Sequence, residues 1–190
     1  VAVDGKAHGP LQSLAFGVLV DRRRNPQDAE TRLQMIELLS QAAGPAGMVG
    51  GQAIDLESVG RQLDQQALET MHRHKTGALI EASVQLGALA SGNADEPALR
   101  SLQHYAQAIG LAFQVQDDIL DVESDTATLG KTQGKDQAHD KPTYPALLGL
   151  AGAKAYAASL CDEALQALAA FSGEADALRE LARYIIARRH

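Results

Sequence analysis

Three carboxylates lie close together in this sequence, at Asp117, Asp118 and Asp121. At about 100° per residue, these aspartates and Gln114 fall on one face of a helix. Like charges four residues apart repel each other in an isolated helix, so a bound cation would stabilise the cluster. Hard oxygen ligands at this spacing suit Mg²⁺, which takes one or two carboxylates together with waters and phosphate oxygens. A solvated acidic helix face is the simpler alternative, and the motif alone leaves both open.

Composition indicates a single soluble domain rich in helix. The chain has 190 residues, 45% of them apolar, and no Trp, and its many Ala and Leu residues favour helix over strand. The net charge of −7 argues against a nucleic-acid partner. A lone Cys161 excludes an internal disulfide and fits a reducing compartment, so we expect a cytoplasmic location. No apolar run approaches the roughly 20 residues that span a bilayer, and no signal peptide is visible.

Apolar periodicity predicts an all-α helix bundle. The sequence shows no strand-like alternation of apolar and polar residues, no zinc-ligand spacing and no nucleotide-binding fingerprint. We expect an irregular lead-in over residues 1–10 and an exposed basic tail at Arg188, Arg189 and His190. Helices are predicted over 11–20, 29–43, 65–90, 95–121, 145–151, 153–171 and 174–188. The first residue is Val1 rather than Met, which we interpret as a processed, truncated or partial polypeptide.

Lys75 is predicted to lie within the apolar stripe of the helix that starts after Asp64, with Thr76 beside it. A lysine on such a face is rare unless it is paired or reaches water. A snorkelling side chain and an anion-binding group in a cavity are therefore both open. His72 and His74, two residues apart, point to different helix faces and form a poor metal pair.

Glycines crowd the segment before this helix, at Gly47, Gly50 and Gly51. Each would weaken an isolated helix by about 1 kcal/mol relative to Ala. This cost suggests the close approach of another backbone or a ligand, with a plain loop as the alternative. Gln52 and Asp55 would share one face if the segment is helical.

A polar segment follows the acidic motif, from residue 124 to residue 141, and contains Lys131, Lys135 and Lys141. Lysines beside a carboxylate cluster suit a metal-bound diphosphate. An ordinary charged surface loop is the alternative.

Five motifs in order resemble one family. They are Gly50–Leu56, His74–Gly77, Phe113–Asp121, Gly130-Lys131 and Lys141–Pro145. Together they are similar to the carboxy-terminal part of bacterial short-chain isoprenyl diphosphate synthases, above all those that make farnesyl diphosphate. The resemblance runs from about Leu11 to the end of the chain.

The resemblance implies an isoprenoid synthase fold, all-α around a deep central cavity, as one domain over residues 1–190 and as a homodimer. It implies the condensation of an allylic diphosphate, dimethylallyl or geranyl, with isopentenyl diphosphate to give farnesyl diphosphate. Three Mg²⁺ ions are expected in the complete site, with Mn²⁺ as a substitute. Geranyl and geranylgeranyl diphosphate are the rival products.

Motif positions carry the family's site residues onto this sequence. Asp117, Asp118 and Asp121 match the family's metal ligands. Lys75, Lys131 and Lys141 match the lysines that contact the diphosphate. Thr76 and Gln114 match polar groups near the developing positive charge. Gln52, Asp55 and Asp136 match positions near the metal–water network, and Phe113 opens the aspartate motif.

The sequence also departs from the family pattern. The first aspartate-rich motif and the basic residues that bind isopentenyl diphosphate would precede Leu11, and they do not occur here. We therefore expect that amino-terminal helices are missing and that this chain alone does not turn over substrates. A non-catalytic, prenyltransferase-like regulatory subunit is one alternative. A helical interaction domain with an acidic face is the other.

Overall fold

The computed structural model describes residues 5–128 and 142–188 of the chain. Within these ranges every regular element is helical, which confirms the predicted fold class. None of the described helices is both long enough and apolar enough to cross a membrane. The helices are α1 (Gly5–Val20), α2 (Ala29–Ala43), α3 (Met48–Glu57), α4 (Gln65–His72), α5 (Ala78–Ser91), α6 (Glu96–Thr128), α7 (Tyr144–Ala167) and α8 (Asp176–Ala187).

Capping residues begin and end several helices where the sequence predicts. The Asp28 side chain accepts a hydrogen bond from the Thr31 backbone nitrogen at 2.9 Å at the start of α2. Asp64 accepts one from Ala67 at 2.8 Å at the start of α4. These bonds satisfy backbone donors that a helix leaves free in its first turn. Gly92 follows α5 with a φ of 68°, a left-handed conformation that favours glycine.

Two predicted boundaries are wrong. α1 begins at Gly5 rather than Leu11, so it includes Gly9 and Pro10 in spite of their low helix propensity. α7 runs from Tyr144 to Ala167, four residues short of the predicted end at Phe171. It changes direction at Gly149, whose φ of 71° and ψ of 159° are not helical. The sequence predicts the break between these two helical parts at residue 152, three residues later.

α6 is the central helix, and α7, α8, α5 and the turn between α4 and α5 pack around it. Its fully buried side chains include Tyr105, Val115 and Ile119. The Tyr105 hydroxyl donates to the Leu178 carbonyl at 2.7 Å and so ties α6 to α8. A smaller apolar cluster around Met35 joins α1, α2 and α5. The acidic motif therefore lies on the helix that the rest of the fold surrounds.

Candidate functional site

A single π-helical turn, Arg73–Gly77, joins α4 to α5 and carries both Lys75 and Thr76. The sequence predicts one continuous helix here, and the wider turn is not visible in its apolar pattern. π-helical turns inside α-helices are rare and occur frequently at functional sites. The turn lies between α3 on one side and α6 on the other.

Glycines allow both neighbours to approach this turn closely. A Cβ atom on Gly51 of α3 would lie 2.1 Å from the backbone nitrogen of Lys75. A Cβ on Gly110 of α6 would lie 3.2 Å from the Cα of Gly77. Of the two interpretations of the glycine-rich segment, the structure supports close backbone approach, since the segment is helical and pressed against the turn.

Lys75 forms an ion pair with Asp55 of α3, with 2.8 Å between Nζ and Oδ2. The lysine side chain is 30% exposed and the aspartate side chain 16% exposed. The predicted lysine on an apolar face is thus paired, which is one of the conditions under which such a residue is tolerated. Gln52, one helical turn before Asp55, is exposed.

Thr76 begins a hydrogen-bonded chain that reaches the acidic motif. Its hydroxyl donates to Gln114 Oε1 at 3.1 Å, and Gln114 Nε2 donates to Asp117 Oδ2 at 3.2 Å. The two bonds use opposite ends of one amide group and so fix its orientation. The structure therefore connects three predicted site residues, Thr76, Gln114 and Asp117. Lys75 lies beside them, since it precedes Thr76 on the same turn.

Asp118 lies in a different environment from its neighbours on α6. Its Oδ2 accepts a hydrogen bond from the Tyr144 backbone nitrogen at 2.9 Å, at the first residue of α7. Burial raises the pKa of this carboxyl group to about 6, with the Tyr144 bond opposing the change and the charges of Asp121 and Asp117 adding to it. Asp121 is exposed. Burial of Asp118 is thus the main reason that its pKa is raised.

An aromatic cluster lies behind Asp118. The Tyr144 ring is 5.6 Å from the His72 ring and 5.8 Å from the Tyr156 ring, measured between centroids. The Tyr156 hydroxyl donates to Glu69 at 2.6 Å. Burial lowers the pKa of His72 to about 4, with the charge of Lys75 as a further cause, so this histidine is neutral at pH 7. His72 is therefore a buried, neutral side chain that packs against Tyr144.

The sequence predicts an exposed Arg188, and that prediction is wrong. Its side chain is 15% exposed and pairs with Asp117. The guanidinium group also lies 4.3 Å from the centroid of the Phe113 ring. The amphipathic pattern of α8 contains the missed signal, because Arg188 follows the buried Ile185 by three residues and so lies on the same face.

The donors around Asp117 fit a divalent cation in type. Carboxylate and amide oxygens are hard ligands, and Asp55, Asp117, Asp118 and Asp121 outnumber the nearby cations Lys75 and Arg188. In the described parts of the chain, no three His, Cys, Asp or Glu side chains converge as a complete metal site. Mg²⁺ does not require such a complete set of protein ligands, because it often takes one or two carboxylates and completes its shell with water and phosphate.

Three predicted site residues, Lys131, Asp136 and Lys141, lie outside the described residues. The assignments of the metal ligands and of the diphosphate contacts remain predictions.

Comparison with known proteins gives a consistent family. Residues 10–184 match the family model described as polyprenyl synthetase. Farnesyl diphosphate synthase of Escherichia coli is 54% identical over 181 residues, which is 94% of this chain and 60% of that protein. The chain thus spans about 60% of the length of this curated relative.

Solved structures agree with the sequence matches. An FPP/GFPP synthase from Zymomonas mobilis is 38% identical with a TM-score of 0.79, over 93% of this chain and 58% of that one. A geranyltransferase from Helicobacter pylori, in complex with magnesium and isoprenyl diphosphate, is 34% identical with a TM-score of 0.73, over 94% of this chain and 57% of that one. The isoprenyl synthase fold is therefore common to these proteins and this chain.

Proposed function

Because this chain belongs to the polyprenyl synthetase family, we propose that the protein containing it transfers a prenyl group from an allylic diphosphate to isopentenyl diphosphate. The relatives that carry the name farnesyl diphosphate synthase support farnesyl diphosphate as the product. Geranyl and geranylgeranyl diphosphate are the alternatives to it. We also propose that the protein containing this chain forms a homodimer and acts in the cytoplasm.

One observation carries the proposal. The hydrogen-bonded chain from Thr76 through Gln114 to Asp117 connects the turn that holds Lys75 with the acidic motif. A cation, an anion-binding lysine and neutral oxygen acceptors are the groups needed to remove a diphosphate and to tolerate the positive charge left on carbon. They belong to two different elements, the π-helical turn and α6, which the fold brings together.

Each residue has a role that follows from its chemistry. Lys75 would contact oxygens of the departing diphosphate, and fixed positive charge at that place stabilises the leaving group. The Thr76 and Gln114 oxygens would face the developing allylic cation without reacting with it. The Phe113 ring presents an electron-rich face that also favours a cation. Lys131 and Lys141 are proposed as further contacts to the diphosphate.

Asp117, Asp118 and Asp121 would hold Mg²⁺. When bound, the metal would supply Lewis-acid neutralisation of the diphosphate charge. Asp118 is positioned by the Tyr144 backbone, and Asp117 by Gln114, so two of the three carboxylates are already oriented by protein contacts. The solved geranyltransferase from Helicobacter pylori is in complex with magnesium and isoprenyl diphosphate, which supports magnesium and a diphosphate as ligands here.

An assay of the complete protein in which this chain occurs tests the proposal. Geranyl and isopentenyl diphosphates are supplied with Mg²⁺, and the prenyl product is identified by chromatography. Asp117→Ala should lower the rate by about 100-fold or more, since it removes a metal ligand. The matched control is Asp162→Ala, which removes an exposed carboxylate on α7 and should retain activity. A folded complete protein that forms no prenyl product would contradict the proposal.

The 190-residue chain can be assayed under the same conditions. We expect no turnover by this chain alone, in line with the motifs that its sequence does not contain. Robust product formation would show that this expectation is wrong.

A further inference from the structure

Within the described residues, Arg188 contacts the acidic motif of α6 through both its side chain and its backbone. Its Nη2 donates to Asp117 Oδ1 and, at 3.2 Å, to the Phe113 carbonyl. The guanidinium group lies over the Phe113 ring, and the Arg188 carbonyl accepts a hydrogen bond from Gln116 Nε2 at 3.2 Å. The residue directly after α8 is thus attached to three residues of the motif.

These contacts differ from those of the other arginines near the end of the chain. Arg179 donates to the carbonyls of Leu168 and Phe171 and so closes the connection between α7 and α8. Arg183 is exposed and pairs with Glu180 on its own helix. Only Arg188, among these three, neutralises a carboxylate of the acidic motif.

The protein engages both oxygens of Asp117. Oδ1 accepts from Arg188, and Oδ2 accepts from Gln114. A divalent cation that binds Asp117 through Oδ1 would occupy the position of the guanidinium group and repel its charge. Metal and arginine are therefore alternative partners of one oxygen atom.

The guanidinium group is also incompletely satisfied where it lies. Its Nε is buried and has no hydrogen-bond partner within the described residues. A buried donor without a partner costs free energy, which reduces the net benefit of holding Arg188 in this position. Release of the side chain would recover part of that cost by exposing the donor to water.

We propose that Arg188 is the counter-cation of Asp117 in the metal-free chain, and that a divalent cation displaces it from Oδ1. Metal loading then loosens the junction between α8 and the acidic motif. The inference rests on the proposed metal site and adds a residue that controls access to it. Arg188 is a positioning residue in this scheme, since it acts through Asp117.

Direct metal binding tests the proposal without any catalytic turnover. Mn²⁺ is titrated into the folded chain, and free Mn²⁺ is followed by electron paramagnetic resonance. Arg188→Met should bind Mn²⁺ about threefold to fivefold more tightly than the wild type, the size expected for loss of a partly exposed ion pair. The control Arg183→Met removes the same formal charge from α8, the helix that Arg188 directly follows, and should leave the affinity within about twofold.

Two further measurements separate competition from a general effect of charge. In an Asp117→Asn background, Arg188→Met should no longer change the Mn²⁺ affinity. The melting temperature of Arg188→Met should lie below that of the wild type without metal, and the difference should shrink at saturating Mn²⁺, as linkage requires. Arg188→Gln, which retains a hydrogen-bond donor, should show the same gain in affinity and serves if the Met variant does not fold.

An affinity of Arg188→Met equal to that of Arg183→Met, or weaker than that of the wild type, would overturn the proposal. So would a gain that persists in the Asp117→Asn background. Binding of Mn²⁺ by neither the wild type nor any variant would instead refute the metal site, and with it both the inference and the metal part of the proposed function.

Discussion

Gly51 contacts the backbone of Lys75 directly, leaving no room for a side chain between α3 and the π-helical turn. Gly51→Ala should place a methyl carbon 2.1 Å from the Lys75 nitrogen, so the two backbones must separate. We expect the free energy of unfolding to fall by about 2 kcal/mol or more, as for other overpacked sites. Urea denaturation measures the change.

Gly87→Ala is the matched control for this substitution. Gly87 is exposed in α5, and a Cβ there would meet no atom within 4 Å. Because alanine favours helix over glycine, this variant should gain up to about 1 kcal/mol. Equal stabilities of the two alanine variants would contradict the close packing of α3 on the turn.

The ion pair between Lys75 and Asp55 should be energetically coupled. Lys75→Met leaves the mostly buried Asp55 carboxylate without its partner, and we expect a loss of about 1 kcal/mol of stability. Asp55→Asn combined with Lys75→Met should cost less than the sum of the two single changes. A double-mutant cycle by urea denaturation gives the coupling free energy.

The pair formed by Arg100 and Glu96 offers a comparison on the surface. Both side chains are more than half exposed, so their coupling should be no more than about 0.5 kcal/mol. Coupling of Lys75 with Asp55 that does not exceed this value would mean that burial adds nothing to the pair.

Gln114 should be sensitive to replacement by an apolar residue of similar size. Gln114→Leu removes both hydrogen bonds of the side-chain amide. It leaves the Thr76 hydroxyl and Asp117 Oδ2 without this partner. The expected loss is about 1–2 kcal/mol, because partly buried polar groups lose their hydrogen bonds. Thermal or urea denaturation measures it.

Gln41→Leu is a suitable control for Gln114→Leu. Gln41 is exposed on α2 and donates to Glu37 of the same helix at 3.2 Å. We expect a change within about 0.5 kcal/mol there. If the two variants lose the same stability, the bridge from the π-helical turn to α6 has no energetic role.

His72 should make the chain less stable in mild acid. Its folded pKa of about 4 lies below the ordinary value of 6.5, so the folded state disfavours the proton. Above pH 6.5 there is no penalty. As pH falls from 6.5 to 4, the unfolded chain binds a proton that the folded chain does not, and about 3 kcal/mol of unfolding free energy is lost.

His72→Gln isolates this contribution. Asp118 acts in the opposite direction, since its raised pKa lets the folded chain bind a proton first as pH falls below about 6. Lys75 and Asp55 also act on the pKa of His72, and Tyr144 packs against its ring. The free energies of unfolding of the wild type and of His72→Gln are compared by urea denaturation from pH 7 to pH 4. Relative to the variant, the wild type should lose stability as the pH falls. A constant difference would show that His72 does not titrate in this way.

The sequence predicts the helices and their caps well, because these features depend on neighbours along the chain. Asp28 and Asp64 cap α2 and α4, which begin at the predicted residues, and the acidic motif lies on a long helix. The sequence does not predict which residues far apart in the chain come into contact. It marks Lys75 as unusual, but its partner Asp55 belongs to another helix. Helical periodicity defines a face without identifying what packs on it.

Arg188 was missed for a related reason. Charged residues at the end of a chain are usually solvated, and composition gives no sign that Asp117, 71 residues earlier, lies against this one. The sequence does not reveal the π-helical turn, because Arg73–Gly77 contains no apolar side chain that would mark a change in the pattern.

The π-helical turn at Arg73–Gly77 also sets the rotational phase of everything after it. Such a turn holds one residue more than an α-helical turn, so α5 is rotated by about 100° relative to a continuation of α4. Deleting one residue from the turn would give a smoother helix and rotate either α5 or the turn's own side chains out of place. On this irregular turn, Lys75 contacts α3 through Asp55 and Thr76 contacts α6 through Gln114.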